Sequence, residues 1–160
     1  MTKEKLKTIL ESHLKYLNGE SGGKIANLED TNLVGANLVG ANLEEANLEN
    51  AYLLLANLKG ANLKGANLQR ADLEWADLKE ADLENANLED AKLEDAYLVG
   101  ANLEGANLKG AFLLRANLKR ADLRYANLED AYLVGANLEN TNLEGANLKK
   151  ANLEGVKNYD

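Results

Sequence analysis

Ala101-Asn102-Leu103-Glu104-Gly105-Ala106-Asn107-Leu108-Lys109-Gly110 holds two copies of the phrase that decides the fold. The same phrase, Ala-Asn-Leu-x-x, runs from Ala26 to Gly155 through 26 consecutive copies without an insertion. Leu stands at every centre, from Leu28 to Leu153, and Ala stands two residues earlier except at Thr31 and Thr141. The position between them is Asn or Asp, apart from Tyr52, Lys92, Tyr97, Phe112 and Tyr132. The two positions after Leu are mostly charged residues or Gly.

A period of five excludes both ordinary elements, because an amphipathic helix repeats near 3.6 and a half-buried strand near 2. The chain must turn once per phrase. Fixed-period self-similarity of this kind marks a solenoid whose units bury their apolar side chains only against neighbouring coils. The Leu and Ala columns are then interior, and the Asn column and the two residues after Leu are exterior. All ten glycines within the repeats, from Gly35 to Gly155, fall two residues after the central Leu. A corner with positive φ is expected there.

The phrase, as in Ala71-Asp72-Leu73-Glu74-Trp75, resembles the pentapeptide repeat proteins, and the resemblance covers residues 26–155. It implies an all-β fold, a right-handed quadrilateral parallel β-helix with four pentapeptides per 20-residue coil. It implies no catalytic activity. The expected organisation is a capping helix over residues 1–19, a hinge over 20–25, the solenoid over 26–155 and a tail over 156–160. Within the first segment Leu6, Ile9, Leu10, Leu14 and Leu17 recur at helical spacing, Thr2 suits an N-cap and Asn18-Gly19 a stop. The helix is expected to lie over the first coil, since solenoid ends need covering. His13, the single histidine, is expected to be a packed or half-exposed residue of that cap. The tail is too short for a second helix, so the coil of Leu138, Leu143, Leu148 and Leu153 is expected to be poorly covered. End-to-end homodimerisation through that coil is the expectation.

With 20 residues per coil, positions 20 apart lie one above another at about 4.8 Å. Four of the five departures from Asn or Asp, namely Tyr52, Lys92, Phe112 and Tyr132, align on one side, whereas a three-sided coil would align three. That side gathers the outward apolar residues Val34, Tyr52, Leu54, Leu55, Trp75, Phe112, Leu114, Tyr132 and Val134. Phe112 and Tyr132 are placed to stack, and Asp72 and Lys92 to pair. Two readings stand: a surface for an unidentified protein partner, or aromatic and branched ladders that stabilise the β surface.

Composition bounds the function. The chain has 160 residues, net charge −8 and no Cys. Thiolate chemistry and disulfides are absent, and a reducing compartment is consistent with this. The N-terminus lacks an apolar leader and no apolar run spans a membrane, so the expectation is a soluble cytoplasmic protein without a membrane partner. Ser12 and Ser21 are the only serines and lie outside the repeats, so no nucleophile-base-acid set can form on the solenoid. The expectation is a non-enzymatic scaffold with no catalytic residue, cofactor or metal; stacked carboxylates such as Glu74 and Glu94 lack a His and a supporting shell. Direct nucleic-acid binding is opposed by the net charge. An acidic side carries Glu44, Glu45, Asp82, Glu84, Glu104, Asp122 and Glu144 against Lys64 and Arg124. Family members that protect DNA gyrase are thought to imitate duplex DNA, so a DNA-mimicking gyrase regulator is the alternative. Against it stand the Leu at every centre, the uninterrupted coil and interspersed charge.

Overall fold

The structure, a computed structural model, describes residues 1–157; the final three residues of the expected tail lie outside the described residues. Each side of the solenoid pairs with the side 20 residues later through a parallel bridge at its Asn position, from Asn27↔Asn47 to Asn137↔Lys157. The coil is therefore four-sided, and at about 4.8 Å per coil the 26 repeats make a rod about 31 Å long. An all-β reading leads one to expect continuous strands, yet among the described residues the pairing consists of single-residue bridges. The reason is the corner: a left-handed residue every fifth position leaves too little extended chain between turns to form a longer strand.

One repeat accounts for all five of its N–H groups. In residues 86–90, Ala86 N–H donates to the Leu83 carbonyl across the turn (3.0 Å), Asn87 N–H to Ala66 of the coil before (2.9 Å), and Leu88 and Asp90 N–H to Asn107 and Lys109 of the coil after (2.7 and 2.9 Å). The fifth, Glu89 N–H, donates to the side-chain Oδ1 of Asn87 at 3.2 Å. Backbone polar groups demand partners, and here the Asn side chain supplies the one that the coil cannot. This explains why the position takes Asn or Asp: a short side-chain oxygen reaches the N–H two residues on.

Every corner residue is left-handed, with φ of 62° at Gly35 and 67° at Gly105, and with φ of 58° at Leu55 and 59° at Trp75. The expected corner is confirmed, and 16 of those corners in the array carry a side chain despite the strain. The interior is a column of Leu and Ala with exposures of 3% or less from Leu43 to Leu138. On one side the seven Asn from Asn27 to Asn147 form an unbroken amide ladder, each Nδ2 donating to the Oδ1 of the coil before, as in Asn87 to Asn67 (3.2 Å) and Asn147 to Asn127 (2.9 Å).

The N-terminal segment forms α1, Lys3–Leu17, with Thr2 as its N-cap accepting from Lys5 N–H at 3.2 Å and Asn18 as its C-cap. Leu6, Ile9 and Leu10 pack on the core. The stretch 20–25 returns tightly along the helix: a Cβ at Gly23 would overlap the backbone of Tyr16, and Lys24 N–H donates to the Ser12 carbonyl at 3.2 Å. His13 is 0% exposed. Its Nδ1 accepts the N–H of Ala26 at 3.1 Å. In later repeats that N–H is satisfied by a Leu carbonyl three residues back; before Ala26 there is no repeat to provide one, and the imidazole replaces it. Burial lowers the His13 pKa below its ordinary value, opposed by the Glu44 backbone and the Glu44 and Glu45 carboxylates.

At the other end Lys157 still pairs with Asn137, so the ladder continues past Gly155. Leu138 is in the core at 2% exposed. Leu143, Leu148 and Leu153 are only partly buried, together with Ala146, Ala151 and Val156.

Candidate functional site

The side headed by Tyr52 is aligned as the 20-residue map requires, through the bridges Asn32↔Tyr52↔Asp72↔Lys92↔Phe112↔Tyr132↔Asn152. Its Asn column and the column two residues further along place Val34 and Leu54 in successive coils, and likewise Leu114 and Val134. Val34, Tyr52, Leu55, Trp75, Phe112 and Tyr132 are exposed, and Leu54, Leu114 and Val134 half-buried. The rings of Phe112 and Tyr132 stack with centroids 5.1 Å apart and planes within 2°. Two apolar clusters result: Val34, Tyr52, Leu54, Leu55 and Trp75 towards α1, and Phe112, Leu114, Tyr132 and Val134 two coils further on.

Charged residues separate the clusters. The expected Asp72–Lys92 pair does not form among the described residues; Asp72 Oδ1 accepts from Glu74 N–H at 3.2 Å, making the same turn bond that Asn makes elsewhere. Arg115 binds Asp95 at 2.5 Å and holds that carboxyl below its ordinary range. Burial pushes the Glu94 carboxyl up, aided by the neighbouring Glu74 and Asp72. The Glu94 backbone N–H, which Lys92 cannot cap, acts against that rise. Among the described residues no group of three His, Cys, Asp or Glu side chains is placed to hold a metal.

The departures from Asn or Asp carry a cost that is not visible in spacing alone. Where Tyr52, Phe112 and Tyr132 stand, no side chain among the described residues accepts the N–H of Leu54, Leu114 or Val134, a bond made wherever the position is Asn or Asp. A hydrogen bond of this kind contributes roughly 1 kcal/mol. The signal was present in the sequence as a preference for Asn and Asp over all other polar residues.

The acidic side is interrupted by its two cations. Lys64 binds Glu84 at 2.9 Å, and Arg124 binds Glu104 and Asp122 at 2.5 and 2.7 Å. On the side between the Tyr52 side and the acidic side, Lys79 lies 5.0 Å over the Tyr97 ring. No helix among the described residues is long and apolar enough to cross a membrane.

The sequence profile described as pentapeptide repeats matches eight copies over residues 26–54, 56–95, 96–133 and 121–157. Among solved structures, the chain is similar to HetL of the cyanobacterium Nostoc sp. strain PCC 7120, a pentapeptide repeat protein involved in heterocyst differentiation regulation. The two are 42% identical over 83% of this chain and 66% of HetL, with a TM-score of 0.59. Rfr23, a pentapeptide repeat protein of the cyanobacterium Cyanothece 51142, is 35% identical over 64% of this chain and 85% of its own, with a TM-score of 0.62. A pentapeptide repeat protein of the Arabidopsis thaliana thylakoid lumen is 34% identical over 64% of this chain and 71% of its own, also at 0.62. The chain thus spans 66% of the length of HetL. No curated protein sequence matches the chain significantly.

Proposed function

The chain belongs to the pentapeptide repeat family, and from that premise we propose that it is a non-enzymatic interaction scaffold whose protein partner docks on the Tyr52 side. The reading is carried by Leu55. Leu55 and Trp75 both occupy left-handed corners, φ 58° and 59°, and both remain exposed, at 61% and 47%. An L-residue in that conformation costs roughly 1–2 kcal/mol. The part of Leu55 that is buried returns about 1 kcal/mol, from about 1.5–3 for complete burial of such a side chain. At Leu55 the fold therefore gains nothing that Gly, used at ten other corners, would not give, whereas the buried half of Trp75 returns about 2–3 kcal/mol and offsets its strain. Tyr52, Phe112 and Tyr132 likewise each forgo a turn hydrogen bond.

The ladder reading retains the Phe112–Tyr132 stack, which stabilises adjacent coils whether or not a partner binds. The corner residue Leu55 has no such compensation and favours a contact surface with aromatic and aliphatic anchors beside it. The test is affinity purification from the native host with wild type beside the Leu55→Gly, Trp75→Gly double variant. Loss of a specific partner in a variant that remains folded supports the reading; an unchanged set of bound proteins overturns it.

The partly buried Leu143, Leu148 and Leu153 support a second contact at the C-terminal coil, with another copy of the chain as its occupant. A dimeric mass at micromolar concentration that becomes monomeric on Leu148→Glu supports this, and a monomeric wild type sinks it. For the gyrase-directed alternative, the acidic side offers less continuous negative charge than duplex DNA, since Lys64 and Arg124 lie within it.

A further inference from the structure

The Tyr52 side reads nearly the same from either end. Its bridge column runs Tyr52, Asp72, Lys92, Phe112, and the column two residues further on runs Val34, Leu54, Glu74, Glu94, Leu114, Val134. Both columns are symmetric about one point, midway between the coil of Asp72 and the coil of Lys92. Leu54 answers Leu114 across it, Val34 answers Val134, and the ring of Tyr52 answers that of Phe112. The central pair of the bridge column, Asp72 and Lys92, is unlike but opposite in charge. No ion pair within the chain engages either of them among the described residues.

We propose that the partner of the Tyr52 side is a second copy of this chain, packed face to face and antiparallel about a two-fold axis that crosses the side between Asp72 and Lys92. The proposal rests on the reading of this side as a contact surface. An axis lying in the face and perpendicular to the rod keeps each column against the same column and reverses its order, as an isologous contact requires. Asp72 of each copy then meets Lys92 of the other, Tyr52 meets Phe112, and the Leu and Val residues of the two clusters pack on each other. At the corner Leu55 and Trp75 lie against Arg115 and Asp95 of the second copy, where a guanidinium can stack on an indole. Tyr52, Trp75, Phe112 and Tyr132 are 52%, 47%, 36% and 44% exposed. At roughly 150–250 Å² for each whole aromatic side chain, they offer about 270–450 Å² of ring surface per copy, near half of the ~800 Å² that a standard interface buries on each partner.

The axis also gathers Glu74 and Glu94 of both copies. Glu94 Oε2 is already buried without a hydrogen-bond partner among the described residues. Burial, with Glu74 and Asp72 beside it, pushes that carboxyl up against the pull of its own backbone N–H and of Lys92. Arg115 keeps Asp95 engaged. Pairing adds the second copy's Glu74, Glu94, Asp72 and Lys92 to this group, and carboxylates brought so close do not all ionise. The dimer therefore binds more protons than two monomers and tightens as pH falls from 7.5 to 5.5.

The test uses the full chain carrying Leu148→Glu, which disables the C-terminal contact, and follows its mass by sedimentation equilibrium at pH 5.5 and 7.5. Expected are dimers that weaken as the pH is raised. Asp72→Lys or Lys92→Asp, each added alone, should raise the dissociation constant at least about tenfold, because like charges then face each other twice across the axis. An equimolar mixture of these two variants should regain nearly the parent's affinity, since each introduced Lys meets an introduced Asp and the native Lys92 meets the native Asp72. A parent that stays monomeric at millimolar concentration, a dimer no tighter at pH 5.5, single variants that pair as well as the parent, or a mixture that pairs no better than either variant alone would each overturn the inference. If it is overturned while the Leu55→Gly, Trp75→Gly protein still loses a partner from the host, the contact surface stands and only its self-pairing falls.

Discussion

Replacing His13 with Leu tests whether one imidazole stands in for a missing repeat. Leu preserves much of the volume and the apolar contact, but leaves the Ala26 N–H, which Nδ1 accepts at 3.1 Å, without a partner in a buried place. An orphaned buried donor costs about 1–3 kcal/mol; because His13 Nε2 is itself buried without a hydrogen-bond partner and the substitution removes it, the expected loss at pH 7.5 falls below that figure. The pH dependence is more specific than the magnitude. Burial holds the His13 pKa below its ordinary value of 6.5, so the unfolded chain takes up a proton before the folded one does. The stabilisation is complete above about pH 6.5 and is lost as pH falls from there towards the folded-state pKa, at up to about 1.4 kcal/mol per unit. The Leu variant has no such group. The gap between the two proteins should therefore narrow between pH 7.5 and 5.5, while carboxylates common to both cancel. Urea unfolding followed by circular dichroism gives the gap. Amide exchange at Leu28 and Leu33 shows whether the loss begins at the first coil, as a nearest-neighbour array requires. A gap that stays constant across this pH range, or exchange that accelerates uniformly along the rod, would refute the capping role.

Two further perturbations probe the array. In a double-mutant cycle on Phe112→Ala and Tyr132→Ala, the stacked rings should couple by about 0.5–1.5 kcal/mol; a coupling near zero in urea unfolding would remove the ladder contribution. Leu88→Ala, in the fully buried interior, should cost about 2–5 kcal/mol by the same assay, and Leu153→Ala, only partly buried, distinctly less; equal losses would mean that the last coil is covered in solution.

The four-sided coil was legible because departures from the phrase fell 20 residues apart, and the bridge from Lys92 to Phe112 and on to Tyr132 confirms that register. The corner was legible because Gly accumulates only there. The role of the Asn column was hidden from spacing: periodicity reports which residues share a face, whereas the Asn87 to Glu89 turn bond depends on the reach of one oxygen. His13 shows a related limit. Its helix and its neighbourhood could be anticipated, but its bond to Ala26 depends on how the returning 20–25 segment places the first repeat. Asp72 and Lys92 are adjacent as expected, yet no ion pair joins them among the described residues; the turn bond from Glu74 N–H uses one Asp72 oxygen and does not itself exclude a pair, since Asp77 makes the same bond and still binds Lys79 Nζ.

That Leu55 is held on the Tyr52 side for contact, with no gain to the fold, is the claim central to the proposed function. The direct measurement is the unfolding free energy of Leu55→Gly against wild type. Relief of the left-handed strain, lost partial burial and the added freedom of Gly in the unfolded chain nearly offset one another, so the change should lie within about 1 kcal/mol of zero. A loss of more than about 2 kcal/mol would show that the side chain serves the solenoid itself, and would contradict the account.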